Sequence, residues 1–137
     1  MRHRVLPALL ACAALSIPAV AWSATAPADA IKYRKAVMSA MSAHVGAFLA
    51  INFGKVEHQD HLKAHANAIA DLGAQARVLF PPGTDTGDTD ALPLIFKEQD
   101  RFTKLLTDLE VSSAKLRDAV AANDKPGTMA AFKALGE

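Results

Sequence analysis

This sequence has little cysteine, little tryptophan and no alternation of apolar with polar residues. Its single Cys and single Trp, Cys12 and Trp22, both stand near the start of the 137 residues. The remainder has no thiol, so disulfides cannot hold it and packing must. No run shows the period-two pattern of a half-buried strand. There is no nucleophile–His–acid arrangement, no Gly-rich phosphate loop and no basic patch interleaved with aromatics. Nothing supports a hydrolase, a transferase, any other enzyme or a nucleic-acid binder.

What is present begins with a leader. Met1-Arg2-His3-Arg4 is basic, and Val5 to Val20 is apolar and Ala-rich. Ala21-Trp22-Ser23 places small residues where a signal peptidase cuts before Ala24. Residues 1–23 are therefore expected to be a signal peptide. A membrane anchor is the rival, but the run is short for a span and is interrupted by Pro7 and Pro18. Residues 24–137 are expected to form one domain, exported and free of the membrane after cleavage. Setting aside Arg2 and Arg4 from the 15 basic residues leaves 13 against 14 acidic, a net charge near −1.

That domain reads as four helices. From about Asp29 to Ile51, Ile31, Met38 and Val45 recur at seven, interleaved with Arg34, Met41 and Phe48. This is a bundle seam. From about Gln59 to Phe80 the registers are Leu62, Ile69, Ala76 and His65, Leu72, Leu79. The run from Pro81 to Asp90 is a long loop of turn formers. A third helix is expected to start near Pro93, capped by Thr89 or Asp90, with Ile95, Phe102, Leu109 and Leu116 at intervals of seven. Asn123 to Gly127 reads as a turn, after which Met129, Phe132 and Leu135 open a fourth helix. The expected fold is all-α, an antiparallel four-helix bundle whose fourth helix is truncated.

Three of these stretches resemble a known family. Ile31-Lys32-Tyr33-Arg34-Lys35-Ala36-Val37-Met38-Ser39-Ala40-Met41, followed by Ala43-His44-Val45-Gly46, is similar to the first helix of class II c-type cytochromes, the cytochrome c-prime family. Leu79-Phe80-Pro81-Pro82-Gly83-Thr84, Gly87-Asp88 and Leu92-Pro93-Leu94-Ile95-Phe96 resemble its loop and third-helix start, where Phe96 replaces a usual Trp. Ala130-Ala131-Phe132 and Gly136 resemble its fourth helix. There the family continues into Cys-x-x-Cys-His, which attaches haem c and ligates its iron, whereas this sequence stops at Glu137. The resemblance implies a periplasmic electron carrier or a binder of NO or CO, with a redox partner protein and a homodimer packed through the first two helices. The alternative is a haem-free periplasmic helical-bundle binding protein, or a truncated copy without function.

The candidate haem-pocket residues are Arg34, Lys35, Met38, Met41, Phe80 and Phe96. Arg34 lies on the inward seam, and a buried guanidinium needs an anion or a path to solvent. The resemblance implies a haem propionate, with Lys35 as a second cation. It also places Met38 over the distal face, as a candidate iron ligand, and Met41 in the pocket wall. Phe80 and Phe96 flank the loop and would close the haem edge; ordinary core packing is the other reading for both. His58, His61 and His65 share a helical face by spacing, but the first and last stand about 10 Å apart along a helix, too far for one ion. His61 and His65 remain a feasible pair for zinc or copper, against a solvated His-rich face. His44 is expected to be structural or to face solvent.

Overall fold

In the computed structural model, residues 25–136 are described; the signal peptide expected at 1–23 lies outside them. Helix α1 spans Pro27–Asn52 and has Pro in its first turn, where its missing N–H costs nothing. Helix α2 spans Leu62–Gln75, with single 3₁₀ turns at Gln59–His61 before it and Ala76–Val78 after it. A short helix α3, Pro93–Lys97, precedes α4, Gln99–Ala121. Helix α5 spans Lys125–Leu135. None of the described helices is long and apolar enough to cross a membrane.

The four long helices form an antiparallel bundle. Tyr33 meets Gln75 and His44 meets His65, which runs α1 against α2. Arg77 pairs with Glu110 while Gly73 packs on Ser113, which opposes α2 to α4. Phe48 stacks on Phe132, and Asn52 reaches Met129, which opposes α1 to α5. Phe48, Ala66, Ile69, Leu116 and Val120 form the buried core, with Phe132 and Leu135 packed against it. This core fills the half of the bundle nearest the α4–α5 turn.

Several boundaries differ from those the sequence suggests. The third helix is two: Glu98 takes φ −106° and ψ 54°, so the chain turns between α3 and α4. The expected cap by Thr89 or Asp90 does not form, and Leu92 precedes Pro93 without a side-chain cap. Lys125, Pro126 and Gly127 belong to α5, because the Asp124 carboxylate accepts from the Gly127 N–H at 3.0 Å and caps the helix before them. The α1 seam keeps Ile31, Arg34, Met41 and Phe48 of the heptad reading but not Met38. Ile31, Arg34, Val37, Met41, Phe48 and Ile51 are buried, while Met38 is 42% exposed.

Helix α5 has 11 residues against 23 in α4, about 16 Å against 34 Å. Beyond its last turn the bundle is bounded by α1, α2, α4 and the loop from Leu79 to Leu92. The sequence-predicted pocket residues on α1 all lie in that half.

Candidate functional site

Arg34 organises this end of the molecule. It is 3% exposed, yet it meets no carboxylate among the described residues. Its Nη1 donates to Thr84 Oγ1 at 2.9 Å and to the Leu79 carbonyl at 3.4 Å. Its Nη2 donates to the Thr84 carbonyl at 3.0 Å and to Thr89 Oγ1. The guanidinium carbon sits 4.9 Å from the centroid of the Phe80 ring, a cation–π contact. The expected need for an anion or for solvent is met instead by neutral oxygens and a ring face. Burial lowers the Arg34 pKa from its ordinary value, but a guanidinium stays protonated.

The loop is built to receive this cation. The Thr84 hydroxyl donates to the Pro81 carbonyl at 2.8 Å, which leaves its lone pairs to Arg34. Thr89 Oγ1 also accepts from the Ala91 N–H at 3.1 Å. Gly83, just before Thr84, and Gly87, between the two threonines, take φ of 81° and 101°, values that let the chain fold back on itself there. Lys35 adds a second tie at the surface, with Nζ 3.0 Å from Asp88 Oδ1. Spacing alone did not single out Thr84 or Thr89; the one signal was a buried-seam Arg in need of acceptors.

Beside this clamp lies a cleft of about 430 Å³ lined by Arg34, Lys35, Met38, Ser39, Ser42 and Phe80, with Thr89, Asp90 and Ala91 at its loop edge. Four of the predicted residues thus come together. Met41 is 8% exposed and packs in the core behind the wall. Phe96 is elsewhere: it lines a shallow depression with residues 97–101 on the α3–α4 side. Phe80 and Phe102 meet edge to face with ring centroids 4.8 Å apart, which holds the Phe80 ring between Arg34 and α4.

The histidines separate into two pairs. His58 and His61 stack at 5.1 Å before α2 begins, so the expected three-histidine helical face is absent. His65 pairs with His44 on α1, Nδ1 to Nδ1 at 2.9 Å. Desolvation lowers the His65 pKa from 6.5, and His44 and His61 lower it further. No cluster of three or more His, Cys, Asp or Glu suited to a metal ion occurs among the described residues.

Comparison with known proteins agrees with this architecture. The family profile described as Cytochrome C' matches residues 29–137. Cytochrome c' of Rhodospirillum rubrum is 31% identical over 127 residues, covering 92% of this chain and 86% of that protein. Cytochrome c' of Alcaligenes xylosoxydans xylosoxydans is 30% identical over 111 residues, covering 80% and 86%. The solved structure of cytochrome c prime from Shewanella frigidimarina superposes with a TM-score of 0.77 at 29% identity, covering 83% of this chain and 90% of that one.

Proposed function

Because this chain belongs to the cytochrome c' family, whose members bind haem c, we propose that the cleft beside Met38 is the distal side of a haem site and that the protein carries electrons in the periplasm. The observation that carries the reading is the position of Met38. A thioether with 42% exposure, at the wall of a cleft and one turn from a buried Met41, is available to a ligand rather than used in packing.

The residues present fit one face and one edge of such a group. Met38, Phe80 and Ala91 offer apolar contact, and Arg34 and Lys35 put two cations at the same end, suited to carboxylates. Arg34 still has its Nε–H to give, since its hydrogen bonds use Nη1 and Nη2. The 137 residues contain no Cys-x-x-Cys-His, so they supply wall and edge but not the covalent attachment. When bound, haem c supplies a one-electron redox centre and a coordination position for a ligand. Met38 occupies the distal side; Arg34 holds the loop that excludes water from the edge, and Phe80 fixes the guanidinium. A Met38 thioether on the iron favours electron transfer, and a Met38 that only covers it leaves room for NO or CO. Export by the leader, a redox partner protein and a homodimer through α1 and α2 belong to the same proposal.

Two measurements test it. Haemin added to residues 24–137 tests non-covalent uptake: one-to-one binding with a sharp Soret band that Met38→Leu alters supports the cleft, and absence of stoichiometric uptake sinks non-covalent haem in this chain. Reading the coding frame past the Glu137 codon tests attachment. An open frame running into Cys-x-x-Cys-His supplies it, and a stop codon there withdraws covalent haem and favours the haem-free bundle.

A further inference from the structure

The two imidazoles joined across α1 and α2 are unused by the proposed haem site. His44 and His65 approach through the same atom type, Nδ1, at 2.9 Å, with ring centroids 5.2 Å apart and planes inclined by 51°. Both rings are partly buried, so solvent reaches them. In the absence of a metal one ring donates its Nδ1–H and the other accepts, which leaves one proton between two lone pairs.

We propose that His44 and His65 form a bidentate site for a divalent transition metal of tetragonal preference, Cu(II) or Ni(II), in which the ion replaces the shared proton. The argument is metric. Two nitrogens each about 2.0 Å from a metal and at a right angle stand about 2.8 Å apart, whereas a tetrahedral angle sets them about 3.3 Å apart. The observed 2.9 Å matches the first bite and is short for the second. The two helices already hold the donors at coordination distance. Binding therefore needs rotation of the rings about their side-chain bonds, so that both lone pairs aim at one point, and no movement of the helices.

The placement favours the pair over the other histidines. His44 sits on α1, well inside both ends, and His65 closes the first turn of α2 beside the buried Ala66, so each Cα is held by the bundle. His58 and His61 stack face to face at 5.1 Å, a geometry in which their nitrogens do not converge, and both precede α2. Water fills the remaining positions of the ion, which makes the site open and exchangeable rather than structural. Coordination through Nδ1 leaves each Nε2 protonated: the donor ring's Nδ1 proton moves to its own Nε2, so two neutral rings bind the ion with no net proton release, and a ring that is protonated beforehand gives up one proton.

The probe is Cu(II), added to the mature chain, residues 24–137, which lacks the Met1-Arg2-His3 start that would itself chelate copper, and read by calorimetry and electron paramagnetic resonance. One equivalent is expected to bind with hyperfine structure from two imidazole nitrogens. His44→Gln and His65→Gln each keep a polar group of similar reach, and each is expected to weaken binding by roughly ten-fold or more, the lower end of losses seen even for outer-shell partners. Far-UV circular dichroism checks that both remain helical; should either unfold, the conservative His44→Asn or His65→Asn takes its place. His58→Ala/His61→Ala is expected to bind as the parent does. Binding that survives loss of either His44 or His65, binding that is lost with His58 and His61, or no stoichiometric binding at all overturns the site. Haem uptake is scored separately by its Soret band, so failure here and failure at the Met38 cleft are distinguishable.

Discussion

Arg34 grips Thr84 at two points, Nη1 on the hydroxyl at 2.9 Å and Nη2 on the carbonyl at 3.0 Å. Both groups are buried, Thr84 to 1% exposure, and they lie 50 residues apart in the chain. The fork therefore ties the loop after α2 to the first turns of α1. It does so with a planar donor set that a point charge cannot reproduce.

Removing that fork leaves buried oxygens without donors. Arg34→Leu is expected to cost about 2–4 kcal/mol of unfolding free energy, the scale for hydrogen bonds to a charged group that leave partners unsatisfied. Arg34→Lys keeps the charge but cannot reach both Thr84 oxygens, and a smaller loss is expected. Urea unfolding of the three proteins measures both. Limited proteolysis should show new cleavage between Pro81 and Asp90 in the Leu variant; equal resistance to parent would sink the clamp.

Helices α2 and α4 touch where Gly73 faces Ser113. A Cβ on Gly73 would lie 2.5 Å from Ser113 Oγ and 3.2 Å from its Cβ. Ser113 is fully buried, and its hydroxyl donates to the Glu110 carbonyl, so it cannot swing away freely. Gly73→Ala gains up to about 1 kcal/mol in helix propensity but is expected to lose about 1–3 kcal/mol to overpacking. The net sign should be destabilising. Ser113→Ala in the same chain removes the nearest atom and should recover most of the loss, which a double-mutant cycle reads directly.

These two contacts show how far the sequence reaches. The four-helix plan is legible because Ile31, Phe48, Ile69, Leu116 and Val120 recur at helical spacing and all are buried. The heptad also put Met38 inside, and there it misleads. At that level Val37 is buried instead, and Met38 lines the cleft beyond the last turn of α5, where the seam has no fourth helix to meet. Arg34 is legible as a buried cation in want of acceptors, but which oxygens answer it depends on how the Pro81–Asp90 loop folds. Residue spacing does not encode that. The His44–His65 pair is hidden for the same reason, since each residue belongs to a different helix. Phe96 shares the loop's sequence neighbourhood, but the break at Glu98 carries α3 to another face.

The partly desolvated His65 imidazole makes stability depend on pH. His65 titrates below 6.5 in the folded chain, chiefly through desolvation and then through His44 and His61. Below 6.5 the unfolded chain therefore binds protons that the folded chain still refuses. In metal-free protein, stability should be full above that value and fall as pH drops toward the lowered folded pKa, with no further change from this group below it. Urea midpoints between about pH 7.5 and about pH 5 measure the slope. His65→Gln should flatten it; an unchanged slope would assign the effect to other groups.

Met38 and Met41 are one helical turn apart and should separate function from folding. Met41, 8% exposed, fills core, and Met41→Ala is expected to cost about 2–5 kcal/mol. Met38, 42% exposed at the cleft wall, has little packing to lose, and Met38→Leu is expected to change stability by less than about 1.5 kcal/mol. The ranking reverses for the bound group. Met38→Leu keeps the volume and removes the sulfur, so a change in the haemin spectrum with an unchanged melting temperature isolates the thioether's role. Met41→Ala should shift the melting temperature and leave the ligation pattern alone. If Met38→Leu leaves both the spectrum and the affinity as they were, the sulfur is wall and not ligand, and the distal side is governed by shape alone.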